Sequence, residues 1–343
     1  MKREEIIDYE NLFDSYTKCR RFVGWKPSVK AFVLNDVREI HVMHEKLRQG
    51  TWRNTRPKPI RITYPKPRDG LSIPFRDRVY QRSINDLDLY PSATRSFIFD
   101  NAACQKGKGT SFARRRIKQH LWNHFCHYKT AGWVLQVDIK SYYPTMDHET
   151  VFREFRRYVD PDVHAMVCSV LTDQYAGDKG FNPGSQMVQI AGISVLNSVD
   201  HFIKERLHCR HYIRYMDDFW ILVPTKDEAE RALEQIKGKL QELKFTAHPK
   251  KTAIRPLSEG FDFLGFRYRM TETGKVIMTA KTDGIRHERR KLRRLVNLAK
   301  KGIITAEKVA ECYHSWREYI AIGNSRKLIA RMDSYLERLW RES

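Results

Sequence analysis

Three aspartates stand directly beside apolar, strand-like runs of the sequence. Asp217 and Asp218 are adjacent in Tyr215-Met216-Asp217-Asp218, between two apolar runs, and Asp138 follows the run Val134–Val137. Carboxylates are the ligands suited to magnesium, and two such ions roughly 3.5–4 Å apart serve many phosphoryl transfers. Two adjacent carboxylates on a tight turn, facing a third on a neighbouring strand, therefore predict a two-metal site of the kind that polynucleotide synthesis needs.

The elements that must position these aspartates are visible in the hydrophobic pattern. Trp133–Ile139 is a strand signal, and the strands His211–Tyr215 and Phe219–Val223 are separated by three residues, which predicts a hairpin. Thr225 and Glu228 then form a capping box that opens a helix. Its apolar residues share one face and comprise Ala229, Ala232, Leu233, Ile236, Leu240 and Leu243. The local order is thus strand, turn, strand, helix.

The composition favours a polyanionic partner. The 343 residues contain 63 Lys+Arg against 41 Asp+Glu, a formal charge of +22, and 12% are aromatic. Basic residues interleaved with aromatics favour nucleic acid over a membrane. Six scattered cysteines without a C-x-x-C pair indicate reduced thiols in a cytosolic protein, and no stretch reaches membrane-spanning length. We expect a soluble, unprocessed protein of the cytoplasm.

The last sixty residues form a basic helical segment. From Lys281 to Ser343 there are 16 Lys+Arg against 8 Asp+Glu. Leu292, Leu295, Val296 and Ala299 make a helical stripe beside several arginines, and a second helix is predicted to start at a Thr305 cap. Its predicted buried face comprises Val309, Cys312 or Tyr313, Trp316 and Ile320.

Several motifs resemble those of reverse transcriptases. Tyr215-Met216-Asp217-Asp218 resembles their Y-x-D-D box, and Asp138-Ile139-Lys140-Ser141-Tyr142-Tyr143 resembles their first catalytic box. Further matching segments lie along most of the chain: Pro65–Arg68, Phe75–Gln81, Cys104–Thr110, Phe263–Phe266 and Ser315-Trp316. Together they resemble the bacterial group II-intron-like lineage, in particular the enzymes of diversity-generating retroelements and defence-associated reverse transcriptases.

The resemblance implies an α+β right-hand polymerase fold. Residues 1–130 would be mostly fingers, 131–274 the palm with its YxDD hairpin in an antiparallel sheet packed on helices, and 275–343 a basic helical thumb. A helical segment around 150–200, belonging to fingers and palm together, would be inserted within the palm. A palm of this kind would bring the three aspartates to one edge of the sheet.

The resemblance also implies roles for individual residues. Asp138, Asp217 and Asp218 would be catalytic, and with the main-chain carbonyl of Ile139 they would hold two Mg²⁺ ions, with Mn²⁺ as a substitute. The residues implied in binding the deoxynucleotide are Lys66, Arg68, Tyr143, Gln189 and Lys251, with Lys250 as the alternative to Lys251. Those implied in binding primer or template are Lys106, Lys108, Tyr215, Met216, Leu264, Gly265, Arg289, Arg290, Arg293 and Arg294. Arg76 and Arg78 are further candidates for contact with the nucleotide, and the alternative is that Asp77 and Arg78 form a structural ion pair.

Tyr143 would select deoxynucleotides over ribonucleotides, because an aromatic ring beneath the incoming nucleotide leaves no room for a 2′-hydroxyl. The sequence therefore predicts an RNA-directed DNA polymerase that takes a structured noncoding RNA template, a DNA or RNA primer and dNTPs, with an accessory protein or a second copy as further partners. An RNA-directed RNA polymerase and a non-catalytic, maturase-like RNA-binding protein are the alternatives. Gly184 and Gln189 match the diversity-generating enzymes whereas Pro183 and Val188 depart from them, so diversification and antiviral defence both stay open.

Overall fold

The computed structural model describes residues 2–63, 67–182 and 184–342. The chain divides into two compact units. The first comprises residues 1–113, 136–220 and 231–252, and the second comprises 114–135, 221–230 and 253–343. No helix within the described residues is long and apolar enough to cross a membrane. The division into fingers, palm and thumb stays a prediction.

Helices make up most of the chain before the basic C-terminal segment. They are α1 (Lys2–Ile7), α2 (Tyr9–Arg20), α3 (Pro27–Val33), α4 (Asp36–Arg48), α5 (Phe75–Ile84), α6 (Tyr90–Thr94), α7 (Thr110–Tyr128), α8 (Tyr142–Thr145), α9 (His148–Arg156), α10 (Pro161–Gln174), α11 (Gln186–Ser194), α12 (Asn197–His201) and α13 (Lys226–Glu242). Single π-helical turns, Asn85–Leu89 and Phe202–Arg206, extend α5 and α12. As predicted, the Thr225 hydroxyl caps α13 by accepting from the Glu228 amide.

The described residues form nine strands in three sheets. The strands are β1 (Lys58–Ile62), β2 (Arg68–Ser72), β3 (Trp133–Val137), β4 (His211–Tyr215), β5 (Asp218–Val223), β6 (Ala253–Pro256), β7 (Phe261–Phe263), β8 (Phe266–Met270) and β9 (Val276–Ala280). Their orders are β1-β2, β4-β5-β3-β6 and β7-β8-β9. The four-stranded sheet contains the predicted strand before Asp138 as β3 and the predicted hairpin as β4 and β5. Within it, β5 lies beside β3.

The basic C-terminal segment folds into three helices, which are α14 (Thr282–Lys300), α15 (Ala306–Ala321) and α16 (Arg326–Arg341). Their shared core is formed by Leu292, Val296, Val309, Tyr313, Met332 and Leu339. The Thr305 hydroxyl accepts from the Lys308 amide, so the predicted cap of α15 is confirmed. The helical pattern leaves Cys312 and Tyr313 as alternatives for one buried position, and the structure buries Tyr313. The arginines between the core positions are left on the outer faces.

Candidate active site

The tight turn between β4 and β5 carries the adjacent aspartates. β5 begins at Asp218, so the turn contains two residues, Met216 and Asp217, rather than the three predicted. Met216 has φ 57°, in the left-handed region that non-glycine residues avoid. A left-handed residue at the start of the turn allows the chain to reverse within two positions. Asp218 is therefore the first residue of β5, the strand that pairs with β3.

Asp138 follows β3 directly and lies near both turn aspartates. Burial, together with the charges of Asp217 and Asp138, raises the pKa of Asp218 to about 7. Burial and the Asp138 charge likewise raise the pKa of Asp217 above its ordinary value. The Asp218 side chain retains access to solvent, so the burial effect comes from the protein atoms that displace part of its water. Three mutually repelling carboxyl groups thus share one edge of the sheet.

Lys251 supplies the positive charge next to these carboxyl groups. Its Nζ lies 2.9 Å from Oδ2 and 3.2 Å from Oδ1 of Asp138, and this hydrogen bond raises the pKa of Lys251 against the opposing effect of burial. The pairing of two backbone segments places it there: the His248 amide donates to the Asp138 carbonyl at 2.7 Å, and the Lys140 amide to the Thr246 carbonyl at 2.9 Å. Lys250 lies on the same turn and, like Lys251, is exposed.

The carboxylates of Asp138, Asp217 and Asp218 are of a chemical type that suits divalent cations, but the described residues do not form a preorganised metal site. Across residues 2–63, 67–182 and 184–342, no three His, Cys, Asp or Glu side chains are grouped closely enough to form one. The Asp138, Asp217 and Asp218 carboxylates would together carry three negative charges against the single charge of Lys251. That excess adds to burial in raising the pKa of Asp218. A divalent cation would relieve it, and hard carboxylate oxygens are the ligands that Mg²⁺ prefers.

Tyr143 is held against helix α11 beside this cluster. A Cβ on Gly192 would lie 2.8 Å from the Tyr143 hydroxyl oxygen, so the ring is packed directly on the glycine. The Tyr142 hydroxyl donates to the Gly192 carbonyl, and the Phe181 amide donates to the Tyr143 carbonyl at 2.9 Å. The half-buried ring of Tyr143 is also near enough to Asp217 for that charge to raise its pKa, after burial. Its position is therefore fixed by packing and by backbone contacts.

A cavity of about 690 Å³ lies in the same unit. The β1–β2 hairpin, helix α5 and the start of α11 line it, and Arg78 and Gln189 are among its polar residues. Gly184 also lines the cavity, and a Cβ there would overlap the Leu71 carbonyl oxygen. Cys104, at its edge, contacts the Met216 sulfur at 3.7 Å, which connects the cavity to the aspartate turn. Its volume is in the range of ligand sites for small molecules.

The family model for "Reverse transcriptase (RNA-dependent DNA polymerase)" matches residues 68–268. The match covers more than half of the chain, including Asp138, Asp217, Asp218 and Lys251. The chain belongs to the reverse transcriptase family. Its fold is the right-hand polymerase fold, with the mixture of helices and antiparallel sheet that such a fold requires.

Two known proteins are similar to this chain. Protein YkfC of Escherichia coli (strain K12) is 24% identical over 275 residues, covering 67% of this reverse transcriptase and 71% of YkfC. Telomerase from Candida albicans, solved in complex with a fragment of telomeric RNA, is similar in fold with a TM-score of 0.51 at 11% identity. That match covers 84% of this chain but only 56% of the telomerase chain. The likeness to telomerase therefore concerns the fold alone.

Arg214 is a site residue that the sequence analysis missed in this reverse transcriptase. Its fully buried guanidinium bonds Asp200 through Nε at 2.7 Å and Nη2 at 2.6 Å. It also donates to the Met216 carbonyl at 2.9 Å and the Ile193 carbonyl at 2.9 Å. Burial alone would lower the pKa of Arg214, but the Asp200 carboxylate raises it above its ordinary value. One side chain thus joins the aspartate turn, helix α11 and helix α12.

The loop with the two predicted template lysines lies next to the hairpin. The Ala102 amide donates to the Arg214 carbonyl at 2.9 Å, which attaches the start of this loop to β4. Lys108 donates to the carbonyls of Phe99 and Asn101 at 2.9 and 3.1 Å, and burial lowers its pKa. These bonds support a structural role for Lys108, whereas Lys106 is exposed on the loop.

The structure places the remaining residues predicted to bind the nucleotide in different environments. Lys66 and the side chain of Arg68 lie outside the described residues, as does Pro183. Arg76 pairs with Asp77 at 3.6 Å and stacks on Trp52 at 4.7 Å, so the structural ion pair involves Arg76. Gln189 is exposed and lines the 690 Å³ cavity. Tyr215, at the end of β4, is half-buried.

The other predicted primer and template contacts belong to the second unit. Leu264 and Gly265, with φ 45° and 86°, form the two-residue turn between β7 and β8. The Arg114 guanidinium donates to the Leu264 carbonyl at 3.3 Å. The arginines predicted to follow the nucleic-acid backbone are all exposed on α14: Arg289, Arg290, Arg293 and Arg294. Arg289 lies over the Tyr335 ring at 5.4 Å, so its charge is partly engaged within the unit.

Proposed function

We propose that this chain is an RNA-directed DNA polymerase whose reaction takes place at Asp138, Asp217 and Asp218. The observation that carries the proposal is the charge-coupled group of these carboxyls at the edge of the β5–β3 pair, with Lys251 beside Asp138. Family membership supplies the class of reaction. Two bound Mg²⁺ ions would activate the primer 3′-hydroxyl and neutralise the triphosphate.

The residues of the chain have distinct tasks in this proposal. Asp138, Asp217 and Asp218 are the side chains that would hold the cations, with the Ile139 carbonyl as a further oxygen ligand. Lys251 balances the charge of Asp138 and can shift to the departing pyrophosphate, because an ammonium binds a phosphate as readily as a carboxylate. Gln189 and Arg78 line the cavity proposed for the nucleotide. Lys66 and Arg68 are assigned to its triphosphate on the motif resemblance.

Selection of deoxynucleotides is assigned to Tyr143. The ring rests on Gly192 and cannot move away from an incoming sugar without lifting off helix α11. A 2′-hydroxyl would therefore meet a fixed ring, and a steric barrier of this kind favours DNA synthesis over RNA synthesis.

Single-nucleotide insertion on an RNA template, comparing each dNTP with its rNTP, tests the proposed sugar selection. The wild type should prefer dNTPs, and Tyr143→Val should gain rNTP insertion while it retains some dNTP insertion. A melting curve serves as the control, since loss of packing alone would lower stability and both activities together. A wild type that prefers rNTPs would instead indicate an RNA polymerase.

We also propose a lineage and a setting for the enzyme. The motif resemblances favour the bacterial group II-intron-like lineage, and a structured noncoding RNA as template. The role is either antiviral defence or diversification of a target gene, in a bacterial or phage-encoded system. The six cysteines are all free thiols, which agrees with a reducing cytoplasm. Sequencing the RNA that copurifies with the chain would identify the template and separate the two roles.

A further inference from the structure

Two large aromatic side chains are exposed on the short turn between α2 and α3. Phe22 is 96% exposed and Trp25 is 70% exposed. Phe22 also has φ 63°, in the left-handed region that side chains with a Cβ disfavour. Neither feature adds much to the stability of the fold, because rings exposed to this extent bury little apolar surface and the backbone at Phe22 is strained. The presence of both rings on one turn therefore indicates that they bind a ligand.

The turn is firmly anchored by the helices on either side. Phe32 of α3 packs against Tyr16 of α2 and Phe75 of α5, with ring centroids 5.4 and 5.1 Å apart. Within the turn, the Val23 amide donates to the Arg20 carbonyl at 3.2 Å, and the Lys26 amide to the Val23 carbonyl at 3.0 Å. The two rings are thus held on an ordered surface, so that binding costs little ordering entropy.

The segment that carries the rings contains basic residues but no acidic ones. Residues 18–35 contain five basic residues and no acidic ones; the basic residues are Lys18, Arg20, Arg21, Lys26 and Lys30. Lys18 is paired with Asp14 and Asp86, and Arg20 lies over the Tyr16 ring, but Arg21 and Lys30 are exposed. The Lys26 ammonium lies 5.6 Å from the centre of the Trp25 ring, against one of its faces. The exposure of Trp25 leaves ring surface for a planar ligand.

We propose that this surface, Phe22 and Trp25 with Arg21, Lys26 and Lys30, binds single-stranded RNA outside the catalytic site. Aromatic rings stack on unpaired bases, and the adjacent cations neutralise the phosphates between them. A duplex keeps its bases stacked on each other and offers the rings no free face. The choice of RNA as the polyanion rests on the proposed function, whereas the chemistry of stacking on a basic surface does not.

The test measures binding of a fluorescein-labelled oligouridylate to protein already saturated with a primer–RNA duplex, without nucleotides. Phe22→Ala with Trp25→Ala should weaken binding at least about tenfold, since stacking on one ring contributes roughly 5- to 150-fold in affinity. Trp25→Phe should retain most of it. Leu34→Ala with Val37→Ala is the matched control, because these residues are also exposed and apolar, 83% and 67%, but carry no ring. The control should bind like the wild type.

Phe22→Gly provides a second, independent readout. Glycine adopts a positive φ freely, so this variant should keep or raise the melting temperature while binding falls. Unchanged affinity in Phe22→Ala/Trp25→Ala, or an equal loss in the Leu34→Ala/Val37→Ala control, would overturn the proposal. It would also be overturned if the aromatic variant lost only self-association or binding to anionic vesicles. The variant Asp217→Asn/Asp218→Asn tests the proposed function separately, through its polymerase activity. Its oligouridylate binding should stay at the wild-type level.

Discussion

Replacing Arg214 should separate the stability of the fold from the geometry of the aspartate turn. Arg214→Met removes the cation next to Asp200 and leaves a carboxylate that is 0% exposed. Breaking a buried ion pair by removing one partner costs about 3–5 kcal/mol. Because Arg214 also bonds the Met216 and Ile193 carbonyls, the single variant should lose both stability and polymerisation.

The double variant Arg214→Met/Asp200→Asn removes both charges. The amide that replaces the Asp200 carboxylate would still present an oxygen to the Tyr212 hydroxyl, which bonds Asp200 at 2.6 Å in the wild type. Two carbonyls still lack their donor in the double variant. The buried Ile193 carbonyl costs about 1–3 kcal/mol, whereas Met216 is half-buried and its carbonyl can bond water, so roughly 2 kcal/mol of the loss should be recovered. Polymerisation should stay at least about tenfold below wild type, since Met216 still lacks the donor that holds its turn.

Urea unfolding of the wild type, the two single variants and the double variant measures the coupling, and primer extension measures the activity. Arg214→Lys is the matched control: it keeps the charge beside Asp200 but cannot reach all three acceptors, so it should lose activity more than stability. A double variant that regains stability and also extends primers at the wild-type rate would show that Arg214 only supports the fold.

Two further predictions concern α14 and α11. Neutralising Arg290, Arg293 and Arg294 together should reduce the slope of log affinity for an RNA–DNA duplex against log salt by about 0.7–0.9 per lost phosphate contact. Arg289→Ala should change it less, because Arg289 lies over Tyr335; an unchanged slope in the triple variant would place these arginines outside the nucleic-acid contact. Gly192→Ala should displace the Tyr143 ring, whose hydroxyl lies 2.8 Å from the added Cβ, and lower dNTP over rNTP discrimination. Gly238→Ala, with nothing within 4 Å of its added Cβ, is its control, and equal discrimination in both variants would refute the packing argument.

The elements around the aspartates could be predicted from the sequence because their signals are local. The apolar run before Asp138, the two strands of the hairpin and the Thr225 cap all depend on residues within a few positions of each other. The length of the turn could not be predicted, because nothing about a methionine signals the left-handed backbone that Met216 adopts. A glycine or asparagine there would have indicated the tighter turn.

The contacts that complete the site depend on residues far apart in the sequence. In the sequence Arg214 is only a basic residue of the strand His211–Tyr215, and its partner Asp200 lies on a helix. Lys251 reaches Asp138 only because residues 246–248 pair with residues 138–140. The packing of Tyr143 on Gly192 likewise joins two segments that no periodic pattern connects. The sequence therefore predicted the aspartates and the tyrosine, whereas the structure shows what holds them.

Primer extension on an RNA template with dNTPs and Mg²⁺, by the wild type and by Asp217→Asn/Asp218→Asn, tests the central claim most directly. The wild type should synthesise DNA, and the double variant should synthesise none while its RNA affinity is unchanged, because the loss concerns metal-binding charge rather than the basic surfaces. Substantial DNA synthesis by the folded double variant would contradict the assignment of the active site.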